Sequence, residues 1–333
     1  MSRKANLFWF YWEKFGILAI LILTLGVFAI LTPNILKIDN LLTVLSRSAI
    51  VGIAAMGMTY AICSGGFDLS IGSIVGLSTC TWAWALPVFG AALGPVLGII
   101  SATLLTLLVG VACGLLNGLA ITKLKIVTFV ATLSMSMIFR GIALVATNGS
   151  KQMIVRETNP EAKFFSRNFD VFGQQIQLVP LLMMIGVFVI GYLIYRYTRF
   201  GVYVRSVGSS ESSSRASGIP VDRTLIVVFV ITGVTAAASA LITSSQLMQG
   251  AATLGIGFEL EVITATILGG TALAGGKGNI WGSMVAAIML ALTRNGLNIL
   301  GLSDEYQRLA IGLILLLALA ISGIQELTKE AHR

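Results

Sequence analysis

Apolar stretches of about twenty residues, the length of a helix that crosses a bilayer, follow one another along almost the whole chain. They fall near 15–32, 42–63, 69–89, 93–120, 127–146, 179–196, 225–246, 259–274, 279–299 and 306–323. With 333 residues, 56% hydrophobic and 11% charged, the chain has too little polar surface to cover so many apolar segments in water. The expected fold is therefore all-α: a polytopic transmembrane bundle of about ten helices, in a single domain over 1–333. The 36 glycines suit such a bundle, because small residues let membrane helices approach closely. The first run, Phe15 to Leu31, leads into Thr32-Pro33-Asn34 rather than a small-residue cleavage site, so it reads as a retained helix.

The net charge of +8 raises nucleic acid as a partner. However, most Lys and Arg flank apolar runs instead of clustering among aromatics, which argues against nucleic acid and for membrane orientation. With the N-terminus in the cytoplasm, the inner segments hold Arg3, Lys4, Lys14, Lys123, Lys125, Arg196, Arg199, Arg205, Arg215, Arg223, Lys277, Lys329 and Arg333. The outer connections hold Lys37 and, in 147–177, Lys151, Arg156, Lys163 and Arg167. Both termini are then expected on the cytoplasmic side. Trp9 and Trp12 would mark the inner interface, Trp82 and Trp84 the outer one. Cys63, Cys80 and Cys113 lie in apolar segments at unrelated spacings, which gives neither a disulfide framework nor a metal site. The only histidine, His332, is in the tail, so no histidine-based catalytic site is expected.

Two glycine-rich breaks interrupt apolar helices. In Gly65-Gly66-Phe67-Asp68-Leu69-Ser70-Ile71-Gly72-Ser73, paired glycines free the backbone, and Asp68 or Ser70 can cap the helix that follows. Asp68 serves either a turn or a solute path, since broken helices persist at membrane depth only inside protein or along a cavity. The second break runs through Gly269-Gly270 to Gly275-Gly276 and Asn279. It fails the phosphate-loop pattern twice, at Thr271 and Gly278, so an ATPase, if used, is another chain.

Within the apolar segments, Asn117, Arg140, Glu259, Glu261, Arg294, Asn295 and Asn298 are the remaining polar groups of interest. Each amide can serve interhelical hydrogen bonding. As a group they fit a path for a neutral, hydroxyl-rich solute better than an ion or proton route. Arg140 and Arg294 are placed to snorkel towards the interface. Two connections exceed simple turns: an outer one over 147–177, and an inner one over 197–223. In the inner one Ser209 or Ser210 can cap a short helix across 211–217, Glu211 lies near its positive end, and Gly218 with Pro220 stops it.

Four blocks occur in order: 65–73; Leu116-Asn117-Gly118 through Lys123-Leu124-Lys125-Ile126 and Phe129-Val130-Ala131-Thr132-Leu133 to Arg140-Gly141; Glu259-Leu260-Glu261-Val262-Ile263 into Leu268-Gly269-Gly270-Thr271; and Asn295-Gly296-Leu297-Asn298 with Gln307. Together, over about 15–323, they resemble the permease subunits of bacterial ATP-binding-cassette sugar importers of the ribose, xylose, arabinose and allose group. The resemblance implies the type II importer fold and a multi-pass protein of the bacterial inner membrane. It implies a second permease, identical or paralogous, a cytoplasmic ATPase with two nucleotide sites that binds the ATP and magnesium, and an extracytoplasmic sugar-binding protein. This chain would bind no cofactor and catalyse no covalent step. The resemblance makes 205–223 the ATPase-coupling loop, with Ser209, Ser210, Glu211, Ser212, Ser213, Arg215 and Gly218 as its contact residues. From the residues themselves, Asp68, Ser70, Asn117, Arg140, Asn295 and Asn298 are the candidates along the solute path. The family usually has an Asn-Glu-Glu-Ala-Ala-like stretch where this chain has Ser210-Glu211-Ser212-Ser213-Ser214. The rival readings are an ion-coupled or facilitative transporter, or an importer whose cargo is a polyol or a sugar-derived signal. An intramembrane enzyme is disfavoured, because no nucleophile–base pair or metal constellation is present in the sequence.

Overall fold

The computed structural model describes residues 3–171 and 173–330. Twelve α-helices occur among them: α1 (Arg3–Leu31), α2 (Ile38–Cys63), α3 (Ile71–Leu93), α4 (Pro95–Lys123), α5 (Thr128–Thr147), α6 (Leu178–Tyr197), α7 (Arg199–Ser209), α8 (Glu211–Ala216), α9 (Val221–Leu247), α10 (Phe258–Leu268), α11 (Ile280–Ile299) and α12 (Asp304–Glu330). Seven of them, α2 to α6 with α9 and α11, are long and apolar enough to cross a membrane. The protein is a multi-pass helical bundle. Every apolar run of the sequence forms a helix, but 259–274 does not form a span. It becomes the 11-residue α10, about 16 Å long against an apolar slab of about 30 Å, followed by an open glycine-rich stretch.

The centre of the bundle is made by α2, α3, α9 and α11, with α4 packed along α9 in the most extensive helix contact. Gly110, Gly114 and Gly118 recur every fourth residue on α4, so they form one strip facing Gly233, Phe229 and Ile226 of α9. A Cβ at Gly114 would sit 2.7 Å from the Cα of Val230, inside backbone that cannot move aside. Gly114→Val is expected to destabilise the bundle by about 2–3 kcal/mol, the cost of overpacking, measured as a lower melting temperature in detergent. A melting temperature equal to that of the unsubstituted protein would show that α4 and α9 are not held this closely. By contrast α4, α5 and α6 leave broad apolar faces exposed, such as Leu104 and Leu108, Val130 and Met137, and Val189 and Ile190.

The 147–177 connection is folded rather than loose. It holds a 3-10 turn (Pro160–Ser166) and an antiparallel hairpin of β2 (Asn168–Val171) and β3 (Gln174–Gln177), and β1 (Gln152–Met153) pairs with β4 (Gln249–Gly250). Its Phe165 packs edge-on against Trp82 with ring centroids 6.0 Å apart. Trp82 is thus fully buried beneath this cap and does not anchor at an interface, whereas Trp84 is exposed as expected. The side chains of Trp9 and Trp12, and all of Phe172 and His332, lie outside the described residues.

Candidate functional site

The two breaks meet at one end of the bundle. Helix α2 closes with a left-handed Gly65 (φ 87°), Gly65 N–H donating to the carbonyl of Ile62 and Gly66 N–H to that of Ala61, both at 2.9 Å. This 6→1, 5→2 pattern satisfies the last carbonyls of the helix and turns the chain inward. In the second break Gly270, Gly275 and Gly276 also have positive φ, while Gly66 and Gly269 do not. Gly276 N–H donates to the carbonyl of Cys63 at 2.8 Å, and Gly278 N–H to the Tyr195 hydroxyl at 2.8 Å. A Cβ on Gly208 of α7 would strike both the Cys63 carbonyl and Gly276. Helix α7 therefore lies directly against both breaks.

Asp68 is completely buried. Its Oδ1 accepts from the backbone N–H of Ser70 (2.9 Å), the hydroxyl of Ser70 (2.6 Å) and the amide of Asn117 (3.4 Å). Its Oδ2 accepts from the hydroxyl of Thr232 at 2.6 Å. Asn117 also donates to the Ser70 hydroxyl at 2.7 Å. Ser70 occupies the N-cap position of α3, but its side chain makes no cap bond. Asp68 accepts the Ser70 N–H at the start of α3, as a turn residue does, and in addition ties that start to α4 and α9. Asp68, Ser70 and Asn117 thus come together as a closed knot.

Arg140 and Asn295 lie elsewhere. Arg140 of α5 donates to the backbone carbonyls of Ala252 and Leu254, holding the chain between β4 and α10. Arg294 pairs with the buried Glu261 at 2.8 Å. Each guanidinium has a protein acceptor, and Arg294 is also partly exposed. Arg294, Asn295 and Asn298 border a cavity of about 420 Å³ at the bundle end opposite α8, joined there by Glu261, Arg47 and Gln307. Arg47 was missed in the sequence, although an arginine within the 42–63 apolar run is itself a signal.

At the first end, α7 and α8 form a small helical projection. Thr198 caps α7, its hydroxyl accepting from Gly201 N–H. Buried Val204 and Val207 lie on its inner face, a periodicity that the reading of 197–223 as a loop with one short helix overlooked. Ser210, not Ser209, caps α8: its Oγ accepts from Ser213 N–H at 3.2 Å, while Ser209 donates to the carbonyl of Arg205. At the other end of α8, Gly218 (φ 78°) and Ile219 donate back to Arg215 and Ser214, the same 5→2 and 6→1 closure seen after α2. Glu211, Ser212, Ser213 and Arg215 are exposed. Arg215 donates to Glu211 at 2.8 Å and to Asp222 of α9 at 2.6 Å, and Lys125 lies 3.7 Å from Asp222. Asp222 first and Glu211 second hold the Arg215 guanidinium's pKa above its ordinary value.

Residues 40–319 match the model of the family described as branched-chain amino acid transport system / permease component. The chain belongs to this family. Among curated members, the permease resembles the ribose import permease protein RbsC of Escherichia coli K12, at 34% identity over 93% of this chain and 94% of that protein. It is 35% identical to RbsC of Bacillus subtilis over 93% of this chain and 92% of that protein. It is 31% identical to the L-arabinose transport system permease protein AraH of E. coli K12 over 96% and 93%. No solved structure matches the permease significantly.

Proposed function

We propose that this permease is the membrane subunit of an ATP-binding-cassette importer that carries a ribose-like monosaccharide into the cytoplasm. The observation that carries this reading is similarity to ribose import permeases along nearly the full length of both chains. Both termini and α8 face the cytoplasm, in keeping with the excess of Lys and Arg at that end. A separate ATPase with two nucleotide sites binds the ATP and magnesium, and an extracytoplasmic binding protein delivers the sugar. A second permease, identical or paralogous, covers part of the exposed apolar surface of α4 to α6. This chain itself makes and breaks no covalent bond.

The proposed coupling runs through α8. Helix α8 projects as a capped, exposed knob that a cleft in the ATPase can grip. Its motion passes through Arg215 to Asp222 of α9, and through α7 to Gly276 and Cys63 at the two breaks. Broken helices have few backbone bonds to lose, so they are where a bundle can open and close a passage.

The test is uptake into proteoliposomes holding the permease, its ATPase and its binding protein. Monosaccharide should accumulate only with ATP and all components present. Uphill uptake by the permease alone would establish an ion-coupled carrier instead, and ATP-driven uptake of a polyol without ribose would change the cargo.

A further inference from the structure

The outer connection departs from the rule that orients the rest of the chain. Short segments outside the cytoplasm are normally poor in Lys and Arg, yet 147–177 carries Lys151, Arg156, Lys163 and Arg167. The fold gathers three of these in one place. Arg156, Lys163 and Arg167 line a groove of about 840 Å³ between this connection and the N-terminal turns of α4. Among the described residues, none of the three forms an ion pair, and Glu161 is the one carboxylate on the groove wall. Three positive charges therefore face one negative charge. Lys163 is held half-buried, its Nζ donating to the carbonyl of Gln246 at 3.3 Å. Burial first and the neighbouring Arg156 charge second lower its pKa, as when cations are brought together without an anion between them.

The rest of the groove is apolar. Val96, Ile100 and Leu104 recur every fourth residue on α4, so they form one strip along the helix, and all three are exposed. From Pro95 to Leu104 the strip runs about 14 Å, close to the hydrocarbon depth of one leaflet, about 15 Å. The cations thus stand at the mouth of an apolar trough of leaflet depth. A free anion would satisfy the cations and leave the trough unfilled. A zwitterionic lipid would fill the trough but bring its own cation beside its phosphate. An anionic phospholipid answers both: its phosphate accepts from the forked donors of the arginines, and its tail lies along α4.

We propose that this groove binds one anionic phospholipid, with the phosphate among Arg156, Lys163 and Arg167 and an acyl chain along Val96, Ile100 and Leu104. The lipid comes from the leaflet at the bundle end opposite α8, the outer leaflet in the proposed orientation. The site is independent of what the importer carries and needs only that the permease lies in a bilayer.

Native mass spectrometry tests this on the full-length permease, released from detergent micelles containing either phosphatidylglycerol or phosphatidylcholine. One retained phosphatidylglycerol per permease is expected, against little phosphatidylcholine at the same concentration. Arg156→Gln and Arg167→Gln alter exposed side chains, so the melting temperature should hold. Each should lower retention by about fivefold, the scale for one cation near an anionic lipid surface. Ile100→Trp fills the trough and should lower retention without touching a charge; the arginine variants carry the test if it does not fold. Lys151→Gln, in the same connection but outside the groove, should leave retention unchanged. Equal retention of the two lipids, or an equal loss in Lys151→Gln, would reduce the effect to diffuse attraction and overturn the site. Normal retention in Ile100→Trp, with displacement by inorganic phosphate, would mark a free-anion site instead. Lipid held by the monomer but absent from the assembled importer would give this face to the second permease. Each of these contrary outcomes leaves the proposed transport function standing.

Discussion

Asp68→Ala is expected to abolish ATP-driven uptake and to lower the stability of the purified permease by about 3 kcal/mol, the upper scale for leaving buried donors without an acceptor. The size follows from what the carboxylate holds. Removing it leaves the Ser70 N–H, the Ser70 hydroxyl, the Asn117 amide and the Thr232 hydroxyl without their shared acceptor, at a site with no solvent to replace it. The start of α3 then loses its tie to α4 and α9. Asp68→Asn keeps the shape and one carbonyl oxygen, so it should recover part of the stability, while its amide faces the Thr232 hydroxyl in place of an acceptor. Thermal unfolding in detergent and uptake in proteoliposomes read the two effects separately. A variant with normal melting and normal uptake would reduce Asp68 to an ordinary turn residue.

Much of the bundle was legible because the bilayer imposes one strong rule: each backbone polar group must be satisfied locally, so apolar runs become helices. The runs at 42–63 and 279–299 show this, becoming α2 and α11 within a few residues. The failure at 259–274 has the same root. Apolar composition alone does not reveal that Gly269 and Gly270 end α10 after 11 residues, since the glycines that break one helix elsewhere line the contact of α4 with α9. At the site, side-chain type pointed to polar groups but not to which of them meet. Asp68 and Thr232 are 164 positions apart, and Glu261 finds Arg294 across two helices. For Arg140 and Arg294, nothing local in the sequence announces the carbonyls of Ala252 and Leu254 or the Glu261 carboxylate that hold them.

Charge reversal on α8 should separate transport from folding. In Arg215→Glu the new carboxylate faces both Glu211 and Asp222, so the link from α8 to α9 turns from attraction to repulsion. Arg215 and Glu211 are exposed and Asp222 is half-buried at the surface, and surface ion pairs contribute little to stability, so the melting temperature should stay close to that of the unsubstituted permease. Uptake should nevertheless fall by about tenfold, within the usual range for coupling between distant sites, while ATP hydrolysis by the assembled complex continues. Glu211→Arg should act in the same direction, by setting a second guanidinium beside Arg215. Gly218→Val tests the other support of the knob. A Cβ there meets nothing within 4 Å, so any loss arises from forcing a β-branched residue into a left-handed backbone at φ 78°, about 1–2 kcal/mol confined to the end of α8. If α8 were only a solvated turn, all three variants would import sugar normally. If it were needed for the fold, melting would fall together with uptake. Hydrolysis that persists without matching uptake is the outcome that only a motor-coupling element produces.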